Sequence, residues 1–355
     1  MRYYNLVIGD EDYQYNKNLA TYINSDERKL FKAKGFSEEN ILGEYVKNNS
    51  IDILLITPSM IKDVYTKKAK CVILLSTGKI PNKIKEIPAI YKYQSVNSIV
   101  KEILNIYSDY NQDHILNKDT NTQIVGVYSP IGRVGKTTIA ISLASLIGKS
   151  KKVLYLNLEP LNTISCFLQS NNQYNLSDLL YYIKQKHPNL LLKLEGIKET
   201  INSIDYVSSV RCYIDLFETN IDEWRYLLST LKEESDYEVI VMNFSNSFYE
   251  YTVDLLNECD KNFVVLVPEK TSFVQIKEWQ HAMSLLKQDK LFEKIVYVVN
   301  NQEPNYNLAY IPDYLKDYIQ IPYEEQLLSE SNDFYIQHNN QFGQAISQLI
   351  QTLKE

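Results

Sequence analysis

Apolar positions along the chain fall into two successive alternations of short strand-like runs with stretches of helical spacing. The first opens with YYNLVIG at residues 3–9, passes through a helical stretch at 13–23, and reaches a second strand-like run, RKLFKAKGF, at 28–36. Ser37, followed by Glu38 and Glu39, reads as a helix N-cap, because a side-chain oxygen there can accept from the unpaired N–H groups of the first turn. The helix it would open shows Ile41, Tyr45 and Val46 at helical spacing. IDILLIT, CVILLST and AIYKYQ follow as three more strands. Residues 98–107 close the unit as an amphipathic helix with Ile99, Val100, Ile103, Leu104 and Tyr107 on one face. Strands this continuously apolar, separated by helices, predict a parallel sheet covered on both faces.

The segment at 109–121 is polar and without period, so it reads as a linker. A second alternation then starts with QIVGVYS, a loop, the helix TTIAISLASLIG and the strand run KVLYLNLEP. EVIVMNF, NFVVLVPE, KIVYVVN and a short YIQIP are its further strands. Residues 176–231 read as mostly helical, with a strand at 206–209. Phe273, Ile276, Trp279, Met283 and Leu286 mark one helix face that belongs against a sheet. Near the end, Phe342, Ile346, Leu349, Ile350 and Leu353 form another apolar stripe, and without a basic flank in QTLKE it reads as core packing rather than a membrane-surface helix.

The expected organisation is thus α/β throughout, with domains at 1–108 and 122–355. Composition supports that division, since 355 residues exceed what one core covers, while 10 Gly and 10 Pro are too few for a fibrous or disordered chain. No run of eighteen apolar residues is present, and MRYYNLVIGD has none of the pattern of a secretion signal, so the expected location is cytoplasmic. Cys71, Cys166, Cys212 and Cys259 are far apart, and so are His114, His187, His281 and His338. Neither set has the spacing of a disulfide framework or a transition-metal site. A net charge of -7 argues against broad adhesion to nucleic acid.

The strongest chemical signal is YSPIGRVGKTT at 128–138, between a strand and a helix. Gly132 and Gly135 permit a tight turn whose successive N–H groups, including those of Arg133 and Val134, point at phosphate oxygens. Lys136 reaches the outer phosphates, Thr137 can hold Mg²⁺, and Thr138 completes the first turn. Pro130 stands where the standard phosphate-loop pattern has its first Gly.

The loop resembles the deviant Walker A loop, KGGxGKTT, of the MinD/ParA family of P-loop ATPases. The resemblance continues over roughly 122–355: VLYLNLEP is similar to the family's switch strand ending DxDP, YEVIVMN to its Walker B strand, VVNN to the strand ending in an adenine-contacting Asn, here Asn300, and IQIPYEEQLLSESN to the IPYDPxxxxAxxxG segment containing Pro322. It implies a doubly wound P-loop NTPase domain that binds ATP or ADP with Mg²⁺ and pairs as a homodimer. The departures fall on the catalytic positions. Ile131 replaces the signature lysine, Arg133 stands where the family has Gly, Asn157 and Glu159 replace the switch aspartates, and Asn243 replaces the Walker B aspartate. Each amide in place of a carboxylate removes a charge that would orient Mg²⁺ and its waters, which leaves Asn243 a water-mediated metal contact at most. Lys136 and Glu159 are the surviving catalytic candidates. Arg133 either replaces the lost lysine or faces solvent.

The first domain is similar in layout to a response-regulator receiver, a flavodoxin-like parallel sheet. Asp10 and Glu11 stand for its acidic metal pair, Ser76 for its hydroxyl residue, Lys92 for its lysine, and Thr57 for the phosphoacceptor. A hydroxyl there cannot form an acyl phosphate, so the resemblance implies a pseudo-receiver that docks partners. A receiver-like domain ahead of a degenerate MinD/ParA ATPase is the arrangement of the TadZ/CpaE-like pilus-assembly proteins. That resemblance implies an ATP-binding, dimerising localisation factor with weak or absent hydrolysis, partnered by pilus or secretion machinery at the cell pole or inner membrane face. It implies no specific nucleic acid and only indirect membrane contact. An active ParA-like ATPase moving DNA or protein cargo, and a scaffold with a vestigial nucleotide site, remain as alternatives.

Overall fold

The computed structural model describes residues 3–25, 30–78, 84, 86–110, 121–161, 174–247, 250–301, 311–315, 317–324 and 340–354. Most of the expected linker, residues 325–332 of the IQIPYEEQLLSESN segment, Cys166, His114 and His338 lie outside them. The chain divides into two compact units: residues 1–115 with 188–196, and residues 116–187 with 197–355.

In the first unit the order is β1 (Tyr4–Gly9), α1 (Tyr13–Ser25), β2 (Phe31–Phe36), α2 (Glu39–Asn48), β3 (Ile51–Ile56), α3 (Asp63–Thr66), β4 (Ala69–Ser76), β5 (Ala89–Tyr91) and α4 (Val96–Tyr110). The strands pair in parallel in the order β2-β1-β3-β4-β5. This is the flavodoxin-like order, in which ligand chemistry gathers at the carboxyl ends of the strands. The two-residue period of each strand divides its apolar side chains between two cores. Leu6, Ile8, Ile53 and Leu55 pack with α1 and α4, while Val7, Leu54, Ile56 and Leu74 pack with Leu42 and Val46 of α2. Each such aliphatic side chain, fully withdrawn from water, contributes about 1.5–3 kcal/mol.

Three sequence expectations shift here. Ser37 is not the cap of α2: the N-cap position is Glu38, with no side-chain cap bond. The Phe36 carbonyl still accepts from the Asp10 N–H at 3.1 Å, so the chain stays extended too long for Ser37 to turn into a helix. The buried face of α2 is accordingly Leu42 and Val46, and Ile41 is exposed. The strand expected at AIYKYQ ends at Tyr91, and the closing helix starts at Val96 with the Ser95 hydroxyl accepting from the Ser98 N–H at 3.1 Å. Residues 188–196 also join this unit: Leu192 lies in its core, Asn105 Nδ2 donates to the Gly196 carbonyl, and Asn189 Nδ2 donates to that of Ser108.

The remainder of the chain runs β6 (Gln123–Tyr128), α5 (Lys136–Gly148), β7 (Val153–Leu158), α6 (Leu176–Lys184), α7 (Leu190–Ile197), β8 (Glu199–Ile201), β9 (Ile204–Val207), α8 (Tyr213–Phe217), α9 (Ile221–Glu234), β10 (Val239–Phe244), α10 (Glu250–Glu258), β11 (Lys261–Leu266), α11 (Lys270–Leu285), α12 (Asp289–Phe292), β12 (Ile295–Asn300), β13 (Tyr318–Ile321) and α13 (Gln341–Thr352). The second unit's strands form a sheet in the order β13-β12-β11-β6-β10-β7-β9-β8, parallel except for the β8–β9 hairpin. The strand expected at 206–209 is β9, displaced to 204–207. Its antiparallel partner β8 has no counterpart in the sequence reading. Their turn, Asn202-Ser203, takes positive φ at both residues (49° and 66°), as the tight hairpin turn of matching twist requires.

α5 and α13 cover one face of this sheet, α13 burying Phe342, Ala345, Ile346 and Leu349. The C-terminal stripe is core packing, as its sequence indicates. On α11, Phe273, Ile276, Trp279 and Met283 are buried, but Leu286 is 60% exposed. The helix ends at Leu285, and Lys287 at φ 58° turns the chain away before another apolar position can be used. No described helix is long and apolar enough to cross a membrane.

Candidate nucleotide-binding site

The loop at 128–138 leaves the end of β6, a central strand flanked by β10 and β11, and runs into α5. Ser129 Oγ accepts from the Ile131 N–H at 3.0 Å, which closes the first bend, and Ile131 itself packs against the core rather than projecting outward as a lysine would. Arg133 is exposed with φ at 62°, a left-handed backbone that favours glycine. Gly135, at φ 88°, caps α5. A Cβ there would lie 2.4 Å from Asn300 Nδ2, which donates to the Val134 carbonyl at 2.9 Å. Asn300 therefore braces the loop from the end of β12. Ile321 pairs with Asn300 in register, which brings Pro322 to the same edge of the sheet.

Glycine at 135 opens the helix N-terminus, where the first-turn N–H groups have no intrahelical acceptor and the helix dipole favours an anion. Gly132, Arg133, Val134, Gly135, Lys136, Thr137 and Thr138 therefore lie together as the sequence places them. Lys136 is 5% exposed. Burial pulls its ammonium below the usual lysine range, and Glu159, with Oε1 at 3.9 Å, opposes that shift. A phosphate group would supply the counter-charge that Glu159 supplies only in part.

Around Thr137 the polar side chains are already joined. The Thr137 hydroxyl donates to Glu159 Oε2 at 3.2 Å and accepts from Asn243 Nδ2 at 3.3 Å. Asn243 Nδ2 also donates to Asn157 Oδ1 at 3.1 Å, which accepts the Glu159 N–H at 3.3 Å. Asn243 and Asn157 face each other because they are register partners across β10 and β7. The site fits a phosphate chain. It fits a protein-held Mg²⁺ poorly: among the described residues Glu159 is its one carboxylate, and none of them form a cluster of three or more Asp, Glu, His or Cys side chains that could hold a metal.

Three participants were not legible in the sequence. Tyr155 is buried beside Asn243 and Glu159, and burial, then the Glu159 charge, holds its phenol well above the usual range. Ser209 donates its hydroxyl to the Glu159 carbonyl. Asn246 Nδ2 would lie 3.3 Å from a Cβ at Gly132. They come together from three separate strands or the loops that follow them: Tyr155 lies within β7, Ser209 follows β9 and Asn246 follows β10.

The first unit gathers Asp10, Thr57, Ser76 and Lys92 at the carboxyl ends of β1, β3, β4 and β5. Lys92 Nζ lies 2.6 Å from Asp10 Oδ2, with both side chains buried, and stands 4.4 Å from the centre of the Tyr15 ring. Burial, then Asp10 and the neighbouring Tyr93 and Asp12, pushes the Tyr15 phenol up to about 12. Thr57 Oγ1 meets Ser59 Oγ at 3.1 Å, and Ser76 Oγ accepts from the Gly78 N–H. Glu11 is exposed. The Asp10 carboxylate is already neutralised by Lys92, so the Asp10–Glu11 pair does not form a ready metal site.

No family model and no curated protein matches the chain. Solved structures do. A plasmid partition protein of Borrelia burgdorferi B31 bound to AMPPNP aligns with a TM-score of 0.53 at 20% identity, covering 66% of this chain and 99% of that one. A ParA family ATPase from Chlorobium tepidum TLS aligns at 0.52 and 20%, covering 66% and 100%. The septum site-determining protein MinD from Pyrococcus horikoshii OT3, complexed with Mg-ADP, aligns at 0.51 and 17%, covering 66% and 96%. With the loop between β6 and α5 and the parallel sheet around it, these likenesses give the matched 66% of the chain the fold of the ParA/MinD-type P-loop ATPases.

Proposed function

We propose that this protein is an ATP- or ADP-binding localisation or assembly factor that pairs with a second copy over nucleotide and hydrolyses it weakly or not at all. One observation carries the reading: Gly135, Lys136 and Thr137 form an anion cradle at the start of α5, while the two strand ends facing it present Asn157 and Asn243. Binding is thereby retained and the charge that organises hydrolysis is reduced. The resemblance to TadZ/CpaE-like proteins supports a role in building a Tad-type pilus or secretion machine, with the first unit as a pseudo-receiver that docks machinery proteins. Its cytoplasmic place would be at the pole or inner membrane face.

Titration with a fluorescent ATP analogue tests the nucleotide claim. Saturable binding is expected, weakened roughly tenfold or more in Lys136→Ala, the usual worth of a hydrogen bond to a charged group. Absence of saturable binding, or equal affinity in the variant, refutes it. A second reading, an active ParA-like ATPase that partitions cargo, is favoured by Glu159 Oε2 lying 3.2 Å from the Thr137 hydroxyl. Partner-stimulated turnover that vanishes in Glu159→Gln would select it over the first. A scaffold with a vestigial loop is what remains if nucleotide fails to bind.

A further inference from the structure

The side chains around Thr137 are arranged for something other than a hydrated cation. Water bound to Mg²⁺ turns its hydrogens outward and needs acceptor oxygens around it. Asn243 instead aims both Nδ2 hydrogens into the site, one at Thr137 Oγ1 and one at Asn157 Oδ1. Asn157 Oδ1 is filled a second time by the Glu159 N–H. Thr137 gives its proton to Glu159 and one lone pair to Asn243, so a single lone pair is left for any cation. Asn157 Nδ2 is buried without a hydrogen bond, and the buried Tyr155 hydroxyl beside it interacts with Asn243.

Charge points the same way. Two amides stand at 157 and 243, and Glu159, the one carboxylate among the described residues of the site, is already shared by Thr137 and Lys136. Free ATP and ADP carry two more negative charges than their Mg²⁺ complexes. A cradle of backbone N–H groups and one buried ammonium has no electrostatic reason to prefer the complex. Among the described residues at the site, Glu159 is the single negative charge that would repel the free nucleotide.

We propose, on the basis of the nucleotide-binding reading above, that this site does not select the Mg²⁺ complex and takes the metal-free nucleoside di- or triphosphate as its ligand equally well. The Asn157–Asn243–Thr137 hydrogen-bond network does the orienting that a metal and carboxylates would do elsewhere. Replacing Asn243 by Asp returns acceptor oxygens to the position and creates a Mg²⁺ preference. Replacing Glu159 by Gln tightens binding of the metal-free form.

Calorimetric titration of the full chain with ATP and ADP, in excess MgCl₂ and in EDTA, tests this. Affinities agreeing within fivefold support the proposal. Binding more than fivefold tighter with Mg²⁺ overturns it and leaves the nucleotide reading standing, whereas absence of binding in both buffers overturns both. Asn243→Asp, checked for a native circular dichroism spectrum, is expected to bind at least fivefold tighter with Mg²⁺ than with EDTA. A folded Asn243→Asp that binds with equal affinity in both buffers counts against the network as the cause. If this variant does not fold, Glu159→Gln decides: affinity in EDTA above wild type agrees with the proposal, and affinity equal to or below wild type contradicts it.

Discussion

Lys198→Met is expected to destabilise the second unit by about 3–5 kcal/mol at neutral pH, the usual cost of leaving one member of a buried ion pair without its partner. Lys198 Nζ lies 2.7 Å from Asp205 Oδ2 and 3.0 Å from the Tyr237 hydroxyl, which donates to the same carboxylate at 2.8 Å. The Thr200 hydroxyl donates to the other oxygen, Asp205 Oδ1. Side-chain exposure of the pair is 3% and 9%, so water supplies little of what the lysine gives. The network ties the β8–β9 hairpin to the residues that lead into β10.

Its pH dependence changes sign with the mutation. Burial alone would raise the Asp205 carboxyl, but the Lys198 charge and the hydrogen bonds from Lys198, Thr200 and Tyr237 hold it below the usual aspartate range. In the wild type this stabilisation is complete above the unfolded value of about 3.9 and is lost as pH falls through the lower folded value. Without the ammonium, burial dominates and the folded carboxyl rises. Lys198→Met should then gain stability as pH falls from 7 toward 5, where the wild type does not. Urea unfolding at the two pH values reads this directly; a variant within 1 kcal/mol of wild type at pH 7 would contradict the role given to the pair.

Gly135→Ala is expected to weaken nucleotide binding by roughly 30- to 150-fold, or about 2–3 kcal/mol. Two costs add. A side chain at φ 88° meets the left-handed penalty of about 1–2 kcal/mol, and its Cβ at 2.4 Å displaces Asn300 Nδ2 from the Val134 carbonyl, a hydrogen bond worth about 1 kcal/mol. The double variant Gly135→Ala with Asn300→Ala removes the collision but not the backbone strain, so it should recover only part of the loss relative to Asn300→Ala alone. Isothermal titration of the four proteins measures the coupling. Binding in Gly135→Ala within threefold of wild type would mean that the loop takes a conformation free of both constraints.

Much of the architecture is readable from local pattern because strand and helix periods are local quantities. Except for β8, the strands of both sheets stand close to where apolar runs place them, and the loop at 128–138 with α5 follows from GKTT between a strand and a helix. Misplacements fall where a neighbour overrode the local signal. Ser37 has the chemistry of a cap, yet pairing of β2 through the Phe36 carbonyl keeps the chain extended. Leu286 continues the apolar stripe of α11, yet the helix has ended. The Asn202-Ser203 turn carries no strong hairpin signature, because Ser at positive φ is tolerated only when pairing of β8 with β9 imposes it.

By itself the sequence determined the alternation of strands and helices, the glycine-bearing loop at 128–138, and the presence of amides at Asn157 and Asn243. Each of these rests on residues close together in the chain or on the identity of one side chain. The tertiary structure alone decided what those residues do to one another. Asn243 meets Thr137 across 106 positions and Asn157 across 86, and Lys92 neutralises Asp10 from the far side of the sheet. Segment 188–196 likewise packs with a core built from residues more than eighty positions away. No period or spacing encodes such pairs, because they arise from strand order and register, which place distant side chains at one edge of a sheet.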